Sequence, residues 1–291
     1  MTLIDGIGIG VVHLGNGLGA SVPLGDLAVD LEERGFESLF LGEHTHIPDD
    51  RSSPFPPGGE IADSHLRFVD PFVGLMLAAA RTQRLRVGTA VCVPVHHDPI
   101  VLAKTIASLD ALSGGRFVFG VGLGWNAAET ANHRASFPER RDELRERIEA
   151  MQRLWTDDSA SYDGRYVRFT PSLSLPRPAQ QPHPPILLGC APGPKAFAEV
   201  VGWADGWSPL KTSRRDLPAR LAELDEAWDR AGRGPDRPRL QVPLRRPDAA
   251  AVAAVRALGV ERVTFSMEPM DRDDARRHLD AIVSALRDVD G

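Results

Sequence analysis

The sequence predicts an α/β fold, a single TIM-type (β/α)8 barrel. Eight short runs rich in β-branched residues alternate with eight amphipathic segments, and strands that alternate with helices pair in parallel. Eight such units in 291 residues match one closed barrel. The predicted strands cover residues 7–13, 38–44, 86–93, 116–122, 185–190, 205–210, 239–244 and 262–267.

The helices follow from apolar side chains at helical spacing and from their end signals. In the first helix, Leu24, Leu27, Ala28 and Leu31 fall on one face before Gly35 ends it. The third is expected to begin at Pro99, with Asp98 as its cap, and to end at two glycines. The predicted helices cover residues 24–34, about 71–81, 99–113, about 139–155, 195–201, 217–231, 248–258 and 273–286.

Two segments exceed the barrel repeat. One is a Pro/Gly/Ser-rich loop at about residues 45–68, and the other spans about residues 157–184. The second contains Asp163-Gly164, a pair typical of hairpin turns, so a small β insertion is expected there. Nothing resembles a linker, and we predict one domain over residues 1–291.

Composition excludes several classes of protein. The formal charge is −6, from 40 acidic and 34 basic residues, without long basic runs, which argues against nucleic-acid binding. No apolar stretch has the length of a membrane span. Cys92 and Cys190 lie in separate apolar runs, so neither a disulfide framework nor structural zinc is expected. With Asp5 where a signal peptide would be basic, the sequence favours a cytoplasmic protein.

In a barrel, chemistry lies at the carboxyl ends of the strands, because the βα loops converge there. The predicted strand ends carry polar, aromatic and glycine residues. They are His13, Glu43, His44, the segments 90–94, 122–126 and 189–192, and Trp207. Glycine-rich ends would let a flat ring or a phosphate approach the backbone.

Two glycine patterns leave a dinucleotide-binding fold open as an alternative. Gly122-x-Gly124-x-x-Ala127 and the pattern at residues 15–20 both fit the relaxed fingerprint, and Glu43 ends a following strand. Pro23 and an extra turn separate the earlier pattern from its helix, which weakens this alternative.

His44 and His46 form an H-x-H pair that could bind a metal on a barrel rim. The other strand ends add few ligands, because they finish at Cys190, Trp207 and Met267. We therefore predict no metal. His44 is better interpreted as a proton donor or acceptor.

The segment from Leu109 to Asn126, LDALSGGRFVFGVGLGWN, resembles the signature of the bacterial luciferase-like superfamily. Within it, the segment is similar to actinobacterial enzymes assigned to the deazaflavin coenzyme F420. Three further stretches occur in the family's order: Glu43-His44, residues 88–91, and residues 185–190 with 204–207. The resemblance covers nearly the whole chain.

This resemblance implies a barrel that holds a flavin or deazaflavin and passes a hydride between its ring and an organic substrate. It also implies a non-proline cis bond at Ala90-Val91 behind the ring, and a phosphate near Gly189, although Cys190 replaces a usual glycine. The implied catalytic residues are His44, for proton transfer or ring positioning, and Glu43. The expected cofactor contacts are His13, Thr89, Ala90, Val91, Gly122, Gly124, Trp125, Asn126, Gly189 and Cys190, with Trp207 in the substrate pocket.

The first hypothesis is an F420-dependent oxidoreductase acting on a small organic substrate. The alternatives are an FMN-dependent monooxygenase that uses reduced flavin and oxygen, a non-catalytic flavin-binding protein, and a metal hydrolase. Arg51, Arg67 and Arg134 are candidates to meet the acidic tail of F420, and residues 47–66 are a candidate lid. Family analogy favours a homodimer.

Overall fold

All eight predicted barrel strands are present in the computed structural model, which describes residues 3–14, 21–56 and 58–290. The strands are β1 (Gly8–His13), β2 (Ser38–Leu41), β3 (Arg86–Thr89), β4 (Phe117–Gly122), β5 (Ala160–Asp163), β6 (Arg168–Ser172), β7 (Ile186–Cys190), β8 (Gly206–Pro209), β9 (Arg239–Leu244) and β10 (Arg262–Met267). The closed order is β1-β10-β9-β8-β7-β4-β3-β2, with every neighbouring pair parallel. The barrel prediction is confirmed, and the dinucleotide-binding alternative is wrong because the sheet closes.

The helices also lie where apolar periodicity placed them. They are α1 (Leu24–Glu33), α2 (Pro71–Arg81), α3 (Pro99–Ser113), α4 (Ala127–Asn132), α5 (Arg140–Thr156), α6 (Pro194–Trp203), α7 (Leu217–Arg230), α8 (Ala249–Ala257) and α9 (Arg272–Ala285). Asp98 caps α3 by accepting from the backbone N–H groups of Ile100 and Val101. Short 3-10 turns cover Asp63–Arg67, Pro94–His96 and Arg287–Asp290. Only α4 has no counterpart among the predicted helices.

The segment between α5 and β7 contains the expected hairpin. Strands β5 and β6 pair in antiparallel fashion outside the barrel. The main hydrophobic core fills the layer between barrel and helices, where the pattern of α5 turns Leu144, Ile148, Met151 and Trp155 inward.

The barrel interior is filled near the amino-terminal ends of the strands and open near their carboxyl ends. Phe40, Val118 and Leu187 form a small internal cluster. Below it, the fully buried Arg262 makes a two-point ion pair with Glu37, with Nε–Oε2 and Nη2–Oε1 distances of 2.6 Å. This pair closes the amino-terminal end of the barrel and leaves the carboxyl end for ligands.

At the carboxyl end, inward-facing positions are exposed. Pro243 and Ser266 alternate with the core residues of β9 and β10, yet both are open to solvent. Val12 and Ala90 are half-buried at the same level. The barrel therefore has an open mouth at the end where catalytic loops converge. Among the described residues, no helix is long and apolar enough to span a bilayer.

Candidate active site

The backbone after β3 forms an irregular wall of the barrel mouth. The Ala90-Val91 peptide bond is cis, which confirms the expectation from the family resemblance. Regular pairing of β3 stops at Thr89 and resumes as an isolated bridge between Cys92 and Val121. The strand is therefore shorter than its apolar run predicted.

Gly122 and Gly189 provide the space for this wall. A Cβ atom on Gly122 would lie 2.5 Å from Val91 Cγ2, and one on Gly189 would lie 2.8 Å from Val91 Cγ1. Real Cβ atoms do not approach other carbons so closely. The two glycines on β4 and β7 thus admit the Val91 side chain, which the resemblance alone did not reveal.

Glu43 holds the same wall in place from behind. Its side chain is buried; Oε2 accepts from the Val93 N–H at 2.6 Å and Oε1 contacts His97 Nε2 at 2.6 Å. Burial would raise the pKa of the Glu43 carboxyl, but the bonds from His97 and Val93 hold it below its ordinary value. Glu43 therefore holds the backbone at Val93, and its catalytic assignment is corrected to that of a positioning residue.

His44 lies in the loop after β2, beside a buried carboxylate. Its Nδ1 lies 2.8 Å from Glu129 Oε2 and donates to it, because an ionised carboxylate only accepts. Glu129 Oε1 accepts from the Thr45 N–H at 3.0 Å. Burial would raise the pKa of Glu129, but the His44 bond and these contacts lower it. Among the described residues only Nδ1 of His44 has a hydrogen-bond partner, so Nε2 is free to exchange a proton.

Glu129 is the functional residue that sequence reasoning missed. It lies on α4, whose first turn is capped by Asn126; the Asn126 Oδ1 accepts from the backbone N–H groups of Ala128 and Glu129. Asn126 is 2% exposed, so it positions the helix and does not line the mouth. The spacing Asn-x-x-Glu is a helix-start signal and could have revealed both α4 and its buried acid.

Aromatic rings surround His44. Trp125 meets it edge-on with ring centroids 5.6 Å apart, and Phe68 lies at the same distance. From residues 47–66, Phe55 packs on Trp125 at 5.5 Å, and Ser53 Oγ accepts from the Ala127 N–H at 2.9 Å. This segment covers the His44 side of the mouth, in the place expected for the candidate lid.

Several predicted site residues face away from the mouth. Trp207 is fully buried in the helix layer, where its Nε1 donates to the Cys190 carbonyl and its ring packs on Phe197, so the substrate-pocket assignment is corrected. His13 is 1% exposed, because it alternates with the inward Val12, and burial lowers its pKa. Thr89 is also buried and donates to the Gly120 carbonyl.

Cys190 does not crowd the β7 loop as its departure from the family pattern suggested. Its side chain belongs to the outer hydrophobic core, and burial raises the pKa of its thiol to about 11. Gly124 follows β4 in a left-handed conformation, with φ of 71°. A Cβ atom added to it would lie 3.1 Å from Val93 Cγ1. The glycine pattern at residues 15–20 lies outside the described residues.

The H-x-H pair does not converge on a metal site. His46 contacts Asn132 and Thr45, whereas His44 is engaged by Glu129. Within the described ranges, one group of possible metal ligands lies close together: Glu43, Cys92 and His97. The Glu43 carboxylate in this group is already hydrogen bonded to Val93 and His97. Burial and the nearby Glu43 raise the pKa of the Cys92 thiol, which disfavours the thiolate that a metal would need. The group therefore fits a structural cluster better than a metal site.

Next to β7, two cations at the start of α5 lack counterions. Arg140 Nε and Arg141 Nη1 are buried without hydrogen-bond partners, and neither side chain forms an ion pair within the described part of the chain. Arg141 is close enough to Cys190 to favour its thiolate electrostatically. Burial and the neighbouring Arg141 lower the pKa of Arg140. Such an unneutralised pair beside a strand end suits an anion.

The arginines expected to meet an acidic tail are less available. Arg67 is paired with Asp63 at 2.9 Å, and Arg51 donates to the Pro48 carbonyl. Arg134 is exposed and has a positive φ of 62°. The unpaired arginines of α5 are the stronger candidates for an anionic ligand.

Comparison with known proteins places the chain in a family. The sequence model of the luciferase-like monooxygenase family matches residues 13–282. An uncharacterised protein of Mycobacterium tuberculosis is 42% identical over 264 residues, which cover 88% of this chain and 90% of the relative. An F420-dependent glucose-6-phosphate dehydrogenase of Kineococcus radiotolerans is 31% identical over 216 residues, which cover 72% of this chain and 59% of that enzyme.

Solved structures share the fold. A monooxygenase of Streptomyces bottropensis, RslO1, superposes with a TM-score of 0.78 at 22% identity, covering 96% of this chain and 98% of the other. An F420-dependent secondary alcohol dehydrogenase, solved with an F420-acetone adduct, gives a TM-score of 0.75 at 16% identity, covering 99% and 100%.

Proposed function

Because this chain belongs to the luciferase-like monooxygenase family, we propose that it is an F420-dependent oxidoreductase acting on a small organic substrate. The observation that carries the proposal is the His44–Glu129 pair at 2.8 Å beside an open barrel mouth. The relatives named as F420-dependent glucose-6-phosphate dehydrogenases support the choice of cofactor.

The described residues fit such a cofactor. The mouth is open at Ala90, Val91, Pro243 and Ser266, so a planar heterocycle has a place to enter. The wall at Val91 would support a ring, and Trp125 with His44 would border it. The buried, unpartnered nitrogens of Arg140 and Arg141 would hold a phosphate. Bound there, a deazaflavin supplies hydride transfer.

The protein's own contribution is the proton. With Nδ1 donating to Glu129, a neutral His44 ring has its lone pair on Nε2 and can accept a proton from a substrate hydroxyl while the adjacent carbon loses a hydride. The Glu129 carboxylate then stabilises the imidazolium. In the opposite direction, the same Nε2–H returns the proton to the oxygen. Phe55, Phe68 and Trp125 reduce the access of water to this nitrogen.

A spectroscopic titration tests the proposal. We expect the purified protein to bind F420 and to leave FMN largely free, and turnover to consume no oxygen. Tight FMN binding with oxygen-consuming turnover, and no response to F420, would establish the monooxygenase alternative instead. F420 binding without turnover on any alcohol or aldehyde panel would favour the cofactor-binding protein.

The homodimer also remains a proposal, and a specific surface supports it. Helices α2 and α3 present a groove of about 750 Å³ lined mainly by apolar side chains. Val73, Leu77, Val101 and Leu112 are between 49% and 73% exposed along it. Contiguous apolar surface of this kind marks protein interfaces, and a second copy of the chain is the proposed occupant.

A further inference from the structure

A second cavity opens on the side of the mouth formed by β8, β9 and β10. It has a volume of about 1050 Å³ and is lined by the ends of these strands and the loops that follow them. Pro243 and Ser266 belong to its lining and occupy inward-facing, exposed positions of β9 and β10. The cavity is therefore continuous with the barrel interior and accessible to a substrate.

The lining of this cavity is strongly basic. Lys211, Arg214, Arg245 and Arg246 contribute four cations, against the single carboxylate of Asp248. This local excess contrasts with the formal charge of −6 for the whole chain. Because opposite charges concentrate in a cleft with low-dielectric walls, the cavity would attract anions from solution.

Most of these cations have no carboxylate of their own. Arg214 lies 3.6 Å from Asp248, but no ion pair or hydrogen bond involves the side chains of Lys211, Arg245 or Arg246 within the described ranges. Lys211 also adopts a φ of 53°, which is uncommon for a residue with a side chain and recurs at ligand-binding sites. These features are expected of a site that awaits a charged ligand.

We propose that this basic cavity binds the anionic group of the substrate, a phosphate or clustered carboxylates carried by a small organic molecule. The cavity extends from β8 to β10, across the mouth from the Ala90-Val91 wall on β3, so it faces the open side of a ring supported by that wall. The unpaired arginines of α5 lie instead beside β7, where they suit the cofactor's own phosphate. Assigning the anion to the substrate rests on the proposed function, whereas anion binding itself does not.

Calorimetry with inorganic pyrophosphate at low salt tests the site in the full-length protein. We expect the double variant Arg245→Gln/Arg246→Gln to weaken binding at least about tenfold, since each charge-assisted contact is worth more than a neutral one. Arg215→Gln is the matched control, because Arg215 is exposed and adjacent in sequence but does not line the cavity. Arg141→Gln shows how much of the measured affinity comes from pyrophosphate bound at the separate arginine pair beside β7. Equal affinity in the double variant and the control would overturn the proposal.

A second titration identifies the source of the anion. F420 with its acidic tail, and the deazaflavin riboside without phosphate or tail, are compared in wild type and double variant. Unchanged F420 affinity in the double variant supports a substrate anion. A tenfold loss for F420 alone would assign the cavity to the cofactor tail and overturn the substrate assignment. Pyrophosphate binding without any F420 binding would refute the proposed function and leave only the anion site.

Discussion

Replacing Gly122 with alanine tests whether Val91 explains this glycine. The new Cβ would lie 2.5 Å from Val91 Cγ2, at a position held on one side by pairing with Gly189 and on the other by a hydrogen bond to the Cys92 carbonyl. Overpacking of this kind costs about 1 to 3 kcal/mol. Because the φ of Gly122 is not positive, alanine should also recover up to about 1 kcal/mol through the unfolded chain. With the full recovery, we expect a net loss of about 0 to 2 kcal/mol.

Combining Gly122→Ala with Val91→Ala isolates the contact between the new Cβ and the valine side chain. Val91→Ala removes both γ carbons and leaves a Cβ at 3.4 Å, which is an ordinary contact. In the Val91→Ala background, Gly122→Ala should therefore be neutral or stabilising by up to about 1 kcal/mol. The coupling energy equals the overpacking cost, about 1 to 3 kcal/mol. Urea unfolding followed by tryptophan fluorescence measures all four free energies. Gly202→Ala on α6, where the added methyl meets open space, should be neutral or stabilising. The same cost of Gly122→Ala with and without the valine γ carbons would refute this explanation.

Three further predictions concern the catalytic pair, the response to pH and the oligomer. Glu129→Gln should lower kcat about a hundredfold, because the imidazolium loses its counterion, while the Kd for F420 changes little; His46→Ala is the control, and a matching loss there would contradict the assignment. Burial lowers the pKa of His96 to about 4 in the folded protein. Between pH 6.5 and pH 4 the unfolded chain therefore binds more protons at this residue than the folded protein does. The free energy of unfolding should fall by about 2 kcal/mol from pH 7 to pH 5. His96→Gln should reduce that loss by a similar amount in urea unfolding, and an unchanged pH dependence would show that His96 is not responsible. Val101→Glu should halve the mass measured by light scattering, whereas Leu173→Glu, at a still more exposed residue just after β6, should not; a persistent dimer would place the interface elsewhere.

Much of the architecture was accessible from local pattern. The apolar runs of β9 and β10 and the helical spacing in α1 and α5 are short-range signals, and the structure has these elements within one or two residues of the predicted ends. Strands β2 and β3 are exceptions: the sequence predicts β2 over residues 38–44, but it ends at Leu41. The apolar run of β3 continues to Val93, but its regular pairing ends at Thr89, and no local propensity encodes that interruption.

The candidate site was predicted less completely, because strand-end position does not decide which way a side chain faces. His13 ends β1, whereas Trp207 is the second residue of β8. Both side chains turn toward the helix layer, since neighbouring residues alternate between the faces of a sheet. Glu43 follows β2 next to His44, but its carboxylate bonds to the backbone at Val93. Glu129 was overlooked because it is far from His44 in sequence and carries its carboxylate on a helix that only the Asn126 cap announces.

The sequence by itself determined the barrel, its order of strands and helices, and the family, because repeated hydrophobic periods and one long glycine-rich signature are properties of contiguous residues. Only the tertiary structure decided which side chains share the mouth: the partnership of His44 with Glu129, the space that Gly122 and Gly189 leave for Val91, and the basic cavity on β8–β10. The physical reason is that these contacts join distant segments, and closure of the barrel alone brings their atoms together.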